Sequence, residues 1–157
     1  MPPPVILDPA QIDCTRVVMD KGQIDASIPH RFEFSLIDAV VHVDKPSGTY
    51  AGIHDVKTDA FWVRGHIPGR PLLPGVLMIE CAAQLASIMY RRYFPGNNFI
   101  GFTGVDDVKF RGVVQPPARL ILVGKMVEAK PRRVICDSQG FVDGQMVFEG
   151  RITGMPV

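Results

Sequence analysis

The sequence predicts an α+β fold: one antiparallel sheet packed on one long, buried helix. Two observations carry that expectation. The stretch 76–90 is apolar except for Glu80, Gln84 and Ser87, whose offsets of 0, 4 and 7 put them on one helical face. After residue 98 the chain is a succession of runs rich in Val, Ile and Phe, separated by turn residues, which is the pattern of consecutive antiparallel strands. A helix apolar on its other faces has to be buried, and a sheet wrapped around it covers all of those faces.

Each element has its own signal. Met1 to Pro4 reads as a frayed or extended tail, and Asp8-Pro9 pairs an N-cap residue with a proline at the first helical position. Residues 1–27 are therefore expected to form an N-terminal extension with short helices. Ile28-Pro29-His30-Arg31-Phe32 breaks that region and leads to a strand over 35–44. Pro46-Ser47-Gly48 is a turn signal before a second strand over 49–57. A loop dense in proline and glycine follows. Pro74-Gly75 opens the long helix, Arg91 and Arg92 sit near its end where cations suit the dipole, and Pro95-Gly96-Asn97-Asn98 stops it. Strands are expected over 99–105, 108–113, 120–129, 133–142 and 145–153, with turns at Lys130-Pro131 and Asp143-Gly144. No repeat or low-complexity linker intervenes, so 1–157 is expected to be a single domain.

Composition narrows the function classes. A net charge of +1 argues against nucleic acid as the main ligand, which would call for clustered positive charge. No apolar run reaches the ~18 residues of a membrane span, so no membrane partner is expected. Cys14, Cys81 and Cys136 are odd in number and widely spaced. With no secretory signal at the start, they read as reduced thiols in a cytoplasmic protein. His30, His42, His54 and His66 recur every 12 residues, but that spacing matches no metal motif, and no metal is expected.

The chemistry is concentrated between residues 63 and 92. Pro74-Gly75 sets backbone N–H groups at the positive end of a helix dipole, a ready site for a carbonyl oxygen or oxyanion. Glu80 lies one and a half turns further on, in an apolar setting that favours the protonated acid. His66 sits in a loop stiffened by Pro68, Pro71 and Pro74. A base at a fixed position, a protonated carboxyl and a helix start suit proton removal alpha to a carbonyl with protonation of a leaving group. Gln84, one turn beyond Glu80, is placed to hydrogen-bond its carboxyl.

GHIPGRPLLPGVLMIECAAQ resembles the signature of the beta-hydroxyacyl-acyl-carrier-protein dehydratases of the FabZ type. The similarity extends upstream through PHRFEFSLIDAV and downstream through FTGVDDVKFRGVV, covering roughly residues 28–153. It implies the hotdog fold, a sheet wrapped round a central helix. By position it makes His66 the catalytic histidine, Glu80 the catalytic acid, Gly75 and Val76 the thioester-binding backbone, and Gln84 the support of the acid. It also implies a substrate carried on the phosphopantetheine arm of acyl carrier protein, with no other cofactor. The implied assembly is a homodimer with shared active sites, His66 from one copy and Glu80 from the other, with dimers often gathering into a trimer of dimers. The acyl tail is expected to run past Phe61, Ile88 and Met89. A basic surface for the acidic carrier is expected among Arg91, Arg92, Lys109, Arg111, Lys130, Arg132 and Arg133.

The chain departs from the family pattern at Glu33, at Trp62-Val63, at Ile67, at Ile100-Gly101 and at Gln115-Pro116-Pro117-Ala118. None of these removes a catalytic group; they bear on the acyl tunnel. Two rival readings are a non-catalytic acyl-binding hotdog module and a hotdog acyl thioesterase.

Overall fold

The computed structural model describes residues 3–96 and 99–157. Met1 and Pro2 of the expected tail, and Asn97 and Asn98 of the expected helix stop, lie outside them. The strands are β1 (Ala39–Asp44), β2 (Thr49–Val56), β3 (Ile100–Phe110), β4 (Ala118–Lys130), β5 (Arg133–Val142) and β6 (Gln145–Pro156). They form one antiparallel sheet in the order β1-β2-β4-β5-β6-β3. Two helices complete the fold, α1 (Lys21–Ser27) and the 19-residue α2 (Gly75–Tyr93).

The apolar faces of α2 are buried as their spacing predicts, with Leu77, Met78, Cys81, Ala82, Leu85 and Ile88 in the main core. Gly52 in β2 lets the helix lie close to the sheet, because a Cβ there would stand 2.9 Å from a Leu85 methyl. On the opposite face of the sheet Val41, Ala51, Ile53, Val123 and Phe141 form a second cluster. The N-terminal segment covers it through Ile6, Leu7, Ile12 and Cys14. Gln139 ties that segment down, donating to the Pro4 carbonyl at 2.7 Å and accepting from the Ile6 N–H at 2.9 Å. The described part of the tail is therefore extended and anchored.

Two expected boundaries move, each for a local reason. The strand expected over 35–44 begins only at Ala39. Upstream of it, side chains take the backbone groups that a ladder would use. Gln84 accepts from the Leu36 N–H, and the Lys21 ammonium donates to the carbonyls of Ser35 and Ile37. The two strands expected over 99–105 and 108–113 are a single β3, with a register shift between Asp106 and Lys109 where Asp107 has φ +54°. A bulge of this kind bends a strand without ending it. The N-terminal helices are short: Asp8 caps a 3₁₀ turn at Pro9–Gln11, and Asp20 with Gln23 forms a capping box at the start of α1.

Candidate active site

His66 lies in the segment between β2 and α2, and that segment is held by its own backbone. The Trp62 carbonyl accepts from Gly65 and His66, the Ile67 and Arg70 backbones bond reciprocally, and the His66 carbonyl accepts from Leu72. Leu73 then bonds to Val114, which docks the loop on the body of the chain. The imidazole is fixed as well, with Nδ1 2.6 Å from the Leu72 carbonyl. A carbonyl only accepts, so Nδ1 carries a proton, and in the neutral ring Nε2 keeps its lone pair. This is the tautomer a proton acceptor needs, and it projects from an exposed loop.

Gly75 and Val76 make the first turn of α2. Pro74 is its N-cap, and no side chain caps the helix start. The Leu77 N–H bonds the Pro74 carbonyl, whereas the N–H groups of Gly75 and Val76 have no carbonyl a turn earlier to bond and are available to an incoming oxygen. Gly75 is required by packing: a Cβ at this position would come within 2.9 Å of the Phe110 ring.

Glu80 is half-buried, its side chain 21% exposed. Gln84 supports it as its position on the helix predicts, and the amide is oriented without ambiguity. Its oxygen accepts from the Leu36 N–H at 3.2 Å, while its NH₂ donates to the Phe34 carbonyl and to Glu80 Oε1, both at 2.9 Å. Within one chain the histidine beside Glu80 is not His66 but His30, whose Nε2 stands 3.7 Å from Oε1. A cavity of about 40 Å³ lies there, walled by His30, Glu80, Ser87, Phe99, Ile100 and Phe102 among others.

The residues expected along the acyl tail are spread differently. Ile88 and Met89 are fully buried in the main core and do not line that cavity. Phe61 is half-exposed and stacks on Phe34 at 6.0 Å between ring centroids. Among the expected basic residues, Arg111 pairs with Glu149, and Lys130 and Arg133 both pair with Glu128. The evenly spaced histidines have separate partners: His42 meets Thr49, His54 the Leu36 carbonyl, His66 the Leu72 carbonyl and His30 the acid. Sequence reasoning missed the place of His30. The Pro-His-Arg segment, part of the resemblance, was the signal that it belonged to the site.

One antiparallel sheet wrapped round one long helix is the hotdog architecture. The chain belongs to the FabA-like family, whose FabA-like domain profile matches residues 28–151. Among curated relatives, the 3-hydroxyacyl-acyl-carrier-protein dehydratase FabZ of Rickettsia bellii is 34% identical over 141 residues, covering 88% of this chain and 97% of that protein. The FabZ of Desulfotalea psychrophila is 31% identical over 150 residues, covering 94% and 95%. Among solved structures, the dehydratase heterocomplex ApeI:P from Xenorhabdus doucetiae superposes with a TM-score of 0.71 at 17% identity, covering 85% of this chain and 90% of that one. A mutant thioesterase from Pseudomonas aeruginosa gives 0.64 at 18% identity, covering 90% and 98%. A dehydratase and a thioesterase share this fold, so these two likenesses speak to architecture alone.

Proposed function

We propose that the chain dehydrates 3-hydroxyacyl thioesters, with His66 as base and Glu80 as acid. The overall activity is that of its FabZ relatives: a hydro-lyase converting 3-hydroxyacyl groups on acyl carrier protein to trans-2-enoyl groups in fatty acid biosynthesis. Neutral His66 takes the C2 proton on Nε2. The electron pair of that C–H bond becomes the C2–C3 double bond, and the C3–O bond breaks. Protonated Glu80 gives its proton to the departing hydroxyl, which leaves as water. The N–H groups at Gly75 and Val76 stabilise the charge that builds on the thioester oxygen. The reaction asks for no cofactor beyond the phosphopantetheine arm, because the thioester already acidifies C2 and the hydroxyl is the leaving group.

The observation that carries this reading is the Nδ1 hydrogen bond of His66, which leaves its other nitrogen free to accept a proton. Since His66 and Glu80 do not meet within one chain, the working site is proposed to form between two copies, as a homodimer that assembles further into a trimer of dimers. Supporting this, Phe61 and Ile67 are exposed on the segment between β2 and α2, Val76 on the first turn of α2, and Phe102 and Val105 on β3, an edge strand of the sheet. Arg64 and Arg70, both exposed on the His66 loop, suit an acidic carrier protein. Three free cysteines suit a cytoplasmic location.

Hydration of a crotonyl thioester, followed by loss of the enoyl absorbance, tests the reading. Wild-type protein is expected to be active, and His66→Ala and Glu80→Gln to lose at least ~10²- to 10⁴-fold. Release of free thiol without loss of the double bond would point to hydrolysis instead. A wild-type protein inactive on such thioesters sinks the assignment.

A further inference from the structure

We infer that His30 is a positioning residue for the catalytic acid: its Nε2 stands on the side of Glu80 Oε1, the oxygen that Gln84 bonds, and so directs the transferable proton to Oε2. The inference rests on the reading of Glu80 as the acid, and it starts from Gln84. That amide's orientation is forced, because its oxygen must face the Leu36 N–H and its nitrogen the Phe34 carbonyl. Its remaining N–H therefore points at Oε1, which has to accept. The carbonyl oxygen of a protonated carboxyl is its stronger acceptor, so the amide N–H at Oε1 favours the proton on the other oxygen.

His30 approaches the same oxygen. Its Nε2 is 3.7 Å from Oε1, and its side chain is 20% exposed. Its other nitrogen, Nδ1, is buried without a hydrogen-bond partner, and the ring meets Phe99 edge-on at 5.6 Å between centroids. An unpartnered lone pair is tolerated better than an unpartnered N–H in such a place. In the neutral ring this favours the proton on Nε2, facing the carboxyl. At 3.7 Å the contact is longer than a hydrogen bond.

The remaining walls of the cavity make no hydrogen bond to the carboxyl: Phe99, Ile100, Phe102, Val134 and Ile152 are apolar, and the buried Ser87 hydroxyl makes none at all. The titratable group next in the chain, Cys81, is fully buried on another side of the helix, and burial keeps it as the neutral thiol. Among the described residues, His30 is thus the ionisable side chain that reaches Glu80 from outside α2. It comes from the turn before the 3₁₀ segment Phe32–Phe34, whose Phe34 carbonyl also holds Gln84. One short segment thereby sets both partners of the acid.

The test compares His30→Leu, which removes the donor, with His30→Gln, whose amide reaches the place of Nε2. His30→Leu is expected to lower kcat on a 3-hydroxyacyl thioester by about 10-fold, the low end of what a polar partner of an ionisable group contributes. KM should stay within about twofold, and His30→Gln should recover most of the loss. Isotope-edited infrared spectra, read as wild type minus Glu80→Gln, should show the Glu80 carboxyl band shifted in His30→Leu and restored in His30→Gln. An unchanged kcat and band in a folded His30→Leu protein, or a His30→Gln protein no better than His30→Leu, overturns the inference. A wild-type protein without dehydratase activity refutes the acid assignment instead, and the infrared comparison then still decides whether His30 governs the carboxyl.

Discussion

At His66 the Nδ1–H is given to the Leu72 carbonyl, and at Glu80 one carboxyl oxygen is taken by Gln84. In both cases a hydrogen bond inside the chain settles which atom is left for substrate. The same residue-level reasoning separates the cysteines. Cys81 and Cys136 are buried, and Cys14 is half-exposed. Burial pushes the Cys136 thiol up to about 11 from an ordinary 9.0, and pushes Cys81 further in the same direction. A thiol-specific chromogenic reagent at pH 8 is therefore expected to titrate one cysteine in native protein and three after denaturation. Above pH 9 the unfolded chain releases thiol protons that the folded chain keeps, so stability falls as pH rises from about 9 towards 11, while below 9 these two groups leave it unchanged. Thermal unfolding across that range checks the sign; a Tm that rises between pH 9 and 11 contradicts it.

At the scale of elements, the start of α2 carries the most consequence. Phe110, at the end of β3, fills the space where a Cβ on residue 75 would go. Gly75→Ala has to displace either that ring or the helix start. The expected result is a fall in kcat on the order of 10²-fold, the usual effect of misplacing a binding group by about 1 Å, with α2 otherwise intact by circular dichroism; wild-type turnover in this variant would contradict it. The helix, its polar stripe and its packing face were legible in the sequence because a 3.6-residue period and its only carboxylate are local signals. The hairpin at Asp143-Gly144 was legible for the same reason: both residues have positive φ, as the turn requires. What was not legible came from contacts distant in sequence. Residues 35–38 read as strand, yet Lys21 and Gln84 claim their backbone groups from 14 to 48 residues away. Asp107 read as a break between two strands, but pairing with β6 carries β3 through it.

At the scale of the whole molecule, the N-terminal segment and α2 close opposite faces of one sheet. The edge strand β3 and the residues around the helix start remain open. The pairing of His66 with Glu80 was stated from family resemblance, since no local pattern reveals which groups meet across two chains. His30, by contrast, is joined to Glu80 within one chain but sits 50 residues upstream of it, beyond the reach of any spacing rule. Neither relation has a period of its own, and only the Pro-His-Arg segment of the resemblance marks His30.

The account's central claim is that His66 of one copy works with Glu80 of another. Mixing His66→Ala protein with Glu80→Gln protein, each inactive alone, tests it directly. After subunits exchange at equal amounts, half of the dimers contain one of each, and each of these has one intact site of two. The mixture is therefore expected to recover about a quarter of wild-type activity on a crotonyl thioester, as a two-fold shared site requires. Failure to recover activity, with mixed dimers demonstrated by mass spectrometry, would contradict the claim.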